Sequence, residues 1–161
     1  MSKNKIKLAA PIQPDSTVDG PGIRTVIWTQ GCTHNCPQCH NPSTHDIHGG
    51  YLADIDDVCK EIKEYGQNIT LSGGDPILQS ESCLQIASFA KSIGLTIWLY
   101  TGYTIETLLD MSSNTKSLQT LLQYVDVIVD GKFVFELKTL DKIYRGSSNQ
   151  RLIDVKKTLT T

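Results

Sequence analysis

The stretch Asn68-Ile69-Thr70-Leu71-Ser72-Gly73-Gly74-Asp75-Pro76 reads as a short buried strand, Asn68 to Leu71, ending in a glycine-rich turn. Gly, Asp and Pro each favour a turn for a separate steric or hydrogen-bonding reason. Helical patterns flank this strand on both sides. Upstream, Ile55, Val58, Cys59, Ile62 and Tyr65 recur at the spacing of one buried helix face. Asp54 is placed to cap that helix and Gly66 to stop it. Downstream, a second helix is predicted from about Glu81 to Ile93, with Leu84, Ala87, Ala90 and Ile93 in register and Gly94 at its end.

The alternation continues outward. Leu95 to Tyr100 is the next predicted strand. Thr104 can cap a helix carrying Ile105, Leu108 and Leu109; Met111 to Thr115 interrupts it, and Leu118, Leu121 and Leu122 resume a helical face. Tyr124 to Val129 is a nearly continuous apolar strand, as expected in a sheet covered on both faces or in a barrel wall. Toward the N-terminus, Ile23 to Trp28 is a β-branched strand introduced by the turn Asp19-Gly20-Pro21-Gly22. Ile6 to Ile12 is expected to pair with it, and Leu152 to Val155 to add one short strand. Strand–helix–strand units of this length imply parallel strands joined by right-handed crossovers. With 161 residues the chain is short of the roughly 250 that an eight-fold barrel needs. The expected fold class is therefore α/β, a partial (open) β/α barrel forming a single domain over residues 1–161. Ligands in such sheets bind beyond the carboxyl ends of the strands. Four unusual segments fall at that end: the loop after Ile23–Trp28, Gly73-Gly74-Asp75-Pro76, Thr101-Gly102, and Asp130-Gly131-Lys132.

The first of these segments is Cys32-Thr33-His34-Asn35-Cys36-Pro37-Gln38-Cys39. Thiolates this close in sequence can converge on one soft metal centre. An iron–sulfur cube normally takes four, so a cube held by three leaves one iron open to a substrate. On the loop alone a second reading stands beside this one: three cysteines with His34, His40, His45 or His48 would close a tetrahedral zinc site. A disulfide framework fits poorly with an odd cysteine count and no signal peptide.

Bulk composition excludes several function classes. Hydrophobic residues make up 39% of the chain and charged residues 20%, which indicates a globular protein. Lys and Arg number 15 against 17 Asp and Glu, for a net charge of −2. That balance gives no electrostatic footprint for nucleic acid or for an anionic membrane. No apolar stretch approaches the roughly 20 residues of a membrane span. A cytoplasmic location, where thiols stay reduced, is expected.

Taken together, the Cys-x3-Cys-x2-Cys loop and the Gly-Gly-Asp-Pro turn resemble the radical S-adenosylmethionine superfamily. Within it, Asp19-Gly20-Pro21-Gly22-Ile23-Arg24, Tyr100-Thr101-Gly102-Tyr103, Val129-Asp130-Gly131-Lys132-Phe133 and Arg145-Gly146-Ser147-Ser148-Asn149-Gln150-Arg151 resemble the activating proteins of anaerobic (class III) ribonucleotide reductases. The resemblance implies the partial barrel of that superfamily, with Cys32, Cys36 and Cys39 as ligands of a [4Fe-4S] cluster. S-adenosylmethionine would chelate the fourth iron and be cleaved by one electron to methionine and a 5′-deoxyadenosyl radical. That radical would take a hydrogen from a glycine of the reductase large subunit, the glycyl-radical protein, with a reduced flavodoxin-like protein as electron donor.

The resemblance further implies that Gly73, Gly74 and Asp75 border the cofactor's ammonium. Asp130 and Lys132, with Thr101, would hold its carboxylate end, in some relatives with a monovalent cation. Asn149, Gln150 and Arg151 would position ligand or partner backbone. The chain departs from the wider pattern at Asp75, where Glu is more frequent, and at Gln38, where an aromatic residue often stands. Cys59 and Cys83 fall within predicted helices and read as core residues. The alternatives are an activase of another glycyl-radical enzyme, a small radical S-adenosylmethionine enzyme acting on a free metabolite, and a zinc-stabilised binding module.

Overall fold

The computed structural model describes residues 4–31, 49–137, 139 and 144–160. Along them run β1 (Lys5–Leu8), β2 (Gln13–Ser16), β3 (Arg24–Thr29), β4 (Tyr51–Asp54), α1 (Ile55–Tyr65), β5 (Asn68–Gly73) and, after a 3-10 turn, α2 (Ser80–Ser92). There follow β6 (Ile97–Tyr100), α3 (Ile105–Ser112), α4 (Lys116–Tyr124), β7 (Val127–Asp130), β8 (Arg151–Asp154) and α5 (Val155–Thr160). The strands form one open sheet in the order β4-β1-β3-β5-β6-β7-β8, with β2 also against β3. The central four, β3, β5, β6 and β7, are parallel, as the alternating pattern predicts. The flanking strands are antiparallel.

Strand alternation divides the side chains between two faces. Ile27, Ile69, Leu71, Ile97, Leu99 and Ile128 form the face that packs on the helices, against Val58 and Ile62 of α1, Ile86 and Ala90 of α2, Leu108 of α3 and Leu121 of α4. Arg24, Val26, Thr70, Ser72, Trp98, Tyr100 and Val129 alternate with these and line the opposite, inner face. The amino-terminal end of that face is closed by Arg24, which is 1% exposed. Its guanidinium donates to the Ile69 carbonyl at 2.7 Å, the Thr96 carbonyl at 3.2 Å and the Thr70 hydroxyl at 2.9 Å. It also lies 5.7 Å from the Trp98 ring centroid. A Cβ on Gly20 would sit 2.7 Å from the Arg24 stem, so the Asp19–Gly22 turn packs directly over this cation.

Local signals are borne out closely. The Asp54 carboxylate accepts the Asp56 N–H at 3.1 Å, and Gly66 ends α1 at φ 64° with its N–H on the Ile62 carbonyl. Thr104 accepts the Thr107 N–H, and α3 breaks from α4 within the expected Met111–Thr115 segment. Strand bounds shift. Tyr124 ends α4, and the strand expected from Tyr124 begins at Val127, because Val125 still caps the helix and the Asp126 carboxylate binds Lys91 and the Ile97 N–H. The strand expected from Leu95 begins at Ile97, since the Leu95 N–H turns back to the Ala90 carbonyl.

The expected N-terminal pairing holds over a short stretch: β1 lies antiparallel beside β3, with Leu8 opposite Thr29, the Ala9 N–H on the Trp28 carbonyl and the Gln30 N–H on the Lys7 carbonyl. The other edge of β1 runs along β4, a strand the sequence pattern does not reveal, and β2 also pairs with β3. Among the described residues, no helix is long and apolar enough to cross a membrane.

Gly73 and Gly66 both have positive φ but different surroundings. A Cβ on Gly73 (φ 113°) would strike the Thr29 backbone, whereas nothing lies within 4 Å of one on Gly66. Gly73→Ala should therefore destabilise the protein by more than about 2 kcal/mol, from backbone strain plus a forced separation of β3 from β5. Gly66→Ala should cost about 1 kcal/mol, from left-handed strain alone. Thermal melting of the two variants checks the contrast.

Candidate functional site

The carboxyl ends of β3 and β5 are joined beyond their sheet register. The Thr29 hydroxyl donates to the Ser72 carbonyl at 2.8 Å, the Gly74 N–H to the Thr29 carbonyl at 2.9 Å, and the Asp75 N–H to the Gly31 carbonyl at 2.7 Å. The Gly-Gly-Asp turn is thus fastened to the residues immediately ahead of the cysteine loop. Cys32, Cys36 and Cys39 lie outside the described residues, as do His34, Gln38, His40, His45 and His48. The chain returns at Gly49-Gly50, and a Cβ on Gly50 would lie 2.8 Å from the Gln30 Cβ and strike the Leu8 carbonyl. Gln79 secures the same corner: its amide exchanges two 2.8 Å bonds with the Lys7 backbone and donates to the Gln30 carbonyl at 3.3 Å. The points where the loop leaves and rejoins the sheet are side by side, next to the Gly-Gly-Asp turn.

Two buried carboxylates tie the neighbouring strand ends together. Asp75, 1% exposed, accepts the Thr101 hydroxyl on both oxygens at 2.9 Å, the Gly102 N–H at 2.9 Å and the Ile77 N–H at 3.1 Å. Thr101 in turn accepts the Tyr103 N–H. The polar atoms of Asp75 and Thr101 are engaged with each other and with backbone, which makes them the joint between the turns after β5 and β6. Asp130, also 1% exposed, accepts the Ile105 N–H at the start of α3 and two N–H groups of Arg151. Arg151 extends the pair to Glu106, with its Nη2 2.7 Å from a Glu106 oxygen. Hydrogen bonds to Asp130, and next to Glu106, push the Arg151 guanidinium well above its usual range, while Arg151 holds the Glu106 carboxyl below the ordinary carboxylate value.

Asp130-Gly131-Lys132 and Asn149-Gln150-Arg151 face each other in antiparallel order, one bond set per residue. Arg151 holds the Asp130 carboxylate, the Gln150 amide donates to the Gly131 carbonyl at 3.0 Å, and the Asn149 amide donates to the Lys132 carbonyl at 2.9 Å. The Gln150 side-chain oxygen meanwhile accepts the N–H groups of Gly146 and Ser147, fixing the preceding loop. Asp130, Lys132, Asn149 and Arg151 line a cleft of about 810 Å³ with Tyr103 and Thr107. The Lys132 side chain is exposed there.

These arrangements join two clusters of sequence-predicted residues: Gly73, Gly74, Asp75 and Thr101 around one buried carboxylate, and Asp130, Lys132 and Asn149 around the other. Sequence reasoning missed Glu106 and the bridging of Gly131 to Gly146 and Ser147 by the Gln150 amide, which depend on a β7–β8 pairing that no local pattern announces. It also passed over the Tyr100 hydroxyl, which is buried without a hydrogen-bond partner among the described residues. The donor set suits an iron–sulfur cluster with a polar cofactor. Three closely spaced thiols supply soft ligands, and the adjoining turn is open backbone without Cβ atoms.

Comparison with known proteins agrees. Residues 18–153 match the family model of a 4Fe-4S single cluster domain. The chain is 41% identical over 150 residues to the anaerobic ribonucleoside-triphosphate reductase-activating protein of Enterobacteria phage T4, covering 88% of this chain and 90% of that one. It is 36% identical over 148 residues to the protein of the same name from Escherichia coli strain K12, covering 85% and 92%. The fold is also similar to the crystal structure of QueE from Escherichia coli, with a TM-score of 0.51 at 16% identity, over 62% of this chain and 53% of that one.

The two remaining cysteines behave as core groups. Burial pushes the Cys83 thiol up to about 12 and the Cys59 thiol up to about 11, with Asp75 and Asp56 adding to the respective shifts. Treatment of the metal-free folded protein with iodoacetamide at pH 8 should leave Cys83 unlabelled and Cys59 slow, while unfolding in denaturant exposes both. Peptide mass mapping of the labelled sites reads the order.

Proposed function

The chain belongs to the family of anaerobic ribonucleoside-triphosphate reductase-activating proteins, and on that footing we propose that it installs a glycyl radical on an anaerobic ribonucleotide reductase. When bound, a [4Fe-4S] cluster and S-adenosylmethionine supply one-electron reductive cleavage of the sulfonium and, with it, the means to remove a hydrogen atom from a glycine Cα. The observation that carries this reading is the stitching of the Gly-Gly-Asp turn to residues 29–31. It fastens a Cβ-free stretch of backbone to the root of a three-cysteine loop, at the carboxyl end of parallel strands where such sheets bind ligands.

In this reading Cys32, Cys36 and Cys39 hold the cluster. Gly73 and Gly74 offer backbone groups to the cofactor's amino-acid end, and Lys132 offers a cation to its carboxylate. Asp75 and Thr101 hold the first of these elements in place, and Asp130 and Asn149 the second. They act by orienting backbone, since their own polar atoms bond within the chain. A reduced flavodoxin-like protein is the proposed source of the electron, and the reductase large subunit the partner.

Anaerobic reconstitution with iron and sulfide, followed by reduction, should give 5′-deoxyadenosine from S-adenosylmethionine. It should also give a glycyl-radical signal by electron paramagnetic resonance when the reductase is present. Cys36→Ala should abolish both. Uptake of zinc alone with neither product would return the loop to its zinc-site reading. Asn149→Ala, which frees the Lys132 carbonyl, should retain full iron and sulfide content and lower radical formation by roughly three- to tenfold, the size expected for one lost hydrogen bond at a site. Parent-like activation by this variant would remove Asn149 from the site.

A further inference from the structure

Four charged side chains line the cleft: Glu106 in the first turn of α3, Asp130 at the end of β7, Lys132 just beyond it, and Arg151 at the start of β8. Two are acids and two are bases, but they do not pair evenly. The Arg151 guanidinium takes both carboxylates. Its Nε donates to one Asp130 oxygen at 3.0 Å and its Nη2 to the other. Nη2 also donates to Glu106 at 2.7 Å, and Nη1 to the second Glu106 oxygen at 3.3 Å. Every guanidinium nitrogen and every carboxylate oxygen is engaged. Lys132 is exposed in the same cleft and has no ion-pair partner among the described residues.

Sequence distance alone would favour another pairing. Lys132 is two residues from Asp130, and an ammonium on a flexible four-carbon stem is free to fold back onto a nearby acid. Arg151 holds the acids because a planar fork meets two carboxylate oxygens at once. Register places it directly opposite Asp130 across the β7–β8 pair. Asp130 is 1% exposed, and a carboxylate so buried demands a counter-charge. Hydrogen bonds to Asp130 and Glu106 raise the guanidinium far above its usual range, so that counter-charge is permanent. We propose that Arg151 is a positioning residue that occupies both acids of the cleft and so keeps the Lys132 ammonium available to the carboxylate of S-adenosylmethionine. This rests on the proposed function and adds to it the group that stops Lys132 from being neutralised within its own chain.

Anaerobic isothermal titration of S-adenosylmethionine into the reconstituted, cluster-bearing protein tests it, with thermal melting to check that each variant is folded. Arg151→Gln should bind roughly tenfold more weakly, the size expected when one charge-assisted contact to the ligand is lost. Decarboxylated S-adenosylmethionine, which lacks the anion, should bind this variant as it binds the parent. The triple variant Glu106→Gln, Asp130→Asn, Arg151→Gln leaves no acid to capture Lys132, and its affinity should return to within about threefold of the parent. Lys132→Met should weaken binding in the parent background and cost nothing further in the Arg151→Gln background. Parent-like affinity of Arg151→Gln would overturn the proposal, as would equal weakening toward both ligands. A triple variant as weak as Arg151→Gln would make Arg151 itself the ligand contact and overturn it too, as would additive losses for Lys132→Met. If Arg151→Gln fails to fold, the triple variant decides, because it leaves no unpaired charge to bury. A cluster-bearing parent that binds no S-adenosylmethionine would remove the functional reading and this inference together; a parent that binds it, with parent-like variants, would remove this inference alone.

Discussion

Where β3 and β5 run out, their backbones approach more closely than a side chain between them would permit. Gly73 at φ 113° turns the position of its absent Cβ onto Thr29, and the released space is taken by backbone hydrogen bonds that continue past the strand ends to Gly31. The Gly-Gly-Asp turn and the root of the cysteine loop are consequently one rigid corner. Asp75 then carries that corner sideways to the turn after β6. Asp130 does the same between the start of α3 and β8. A carboxylate this deeply buried is tolerated only when its oxygens are satisfied, and both are satisfied by donors that define the edges of the site.

The opposite end of the inner face solves the converse problem. Among the described residues Arg24 has no carboxylate within hydrogen-bonding reach, and desolvation lowers its pKa to about 10. Carbonyls near the strand starts and the face of Trp98 compensate the charge. One end of the face is thus sealed by a cation on backbone oxygens, and the other is organised by two anions on backbone and side-chain N–H and O–H groups. The cleft lined by Asp130, Lys132 and Asn149 opens at the second end, while the buried Arg24 occupies the first.

Much of this was legible in the sequence where the cause is local. Asp54, Gly66 and Thr104 act on their own helix ends, within a few residues, so their side chains and φ preferences suffice to place them. The parallel order followed from alternation, and the shared end of the four loops followed from that order. What depended on distant pairing was not legible. β4 is four residues with no strong strand pattern, held by β1. The residue-by-residue match of Asp130-Gly131-Lys132 with Asn149-Gln150-Arg151 is visible only once β7 and β8 lie antiparallel. Asp75 and Thr101 read as ligand contacts in isolation, yet each is the other's partner. The Tyr100 hydroxyl, without a hydrogen-bond partner among the described residues, has no sequence signature, because its neighbours are chosen by the sheet.

The two stems of the cysteine loop, Gly31 and Gly49-Gly50, are brought together by Gln79, Leu8 and the Gly-Gly-Asp turn, all of which lie outside the loop. The entropy of closing that segment is therefore met by the sheet, and it grows only slowly with added length. Strand register does not depend on how many residues the stems enclose or which they are. A lineage can lengthen, shorten or replace this segment as a cassette, altering the metal centre or its fit to a partner, while the scaffold that receives it stays the same.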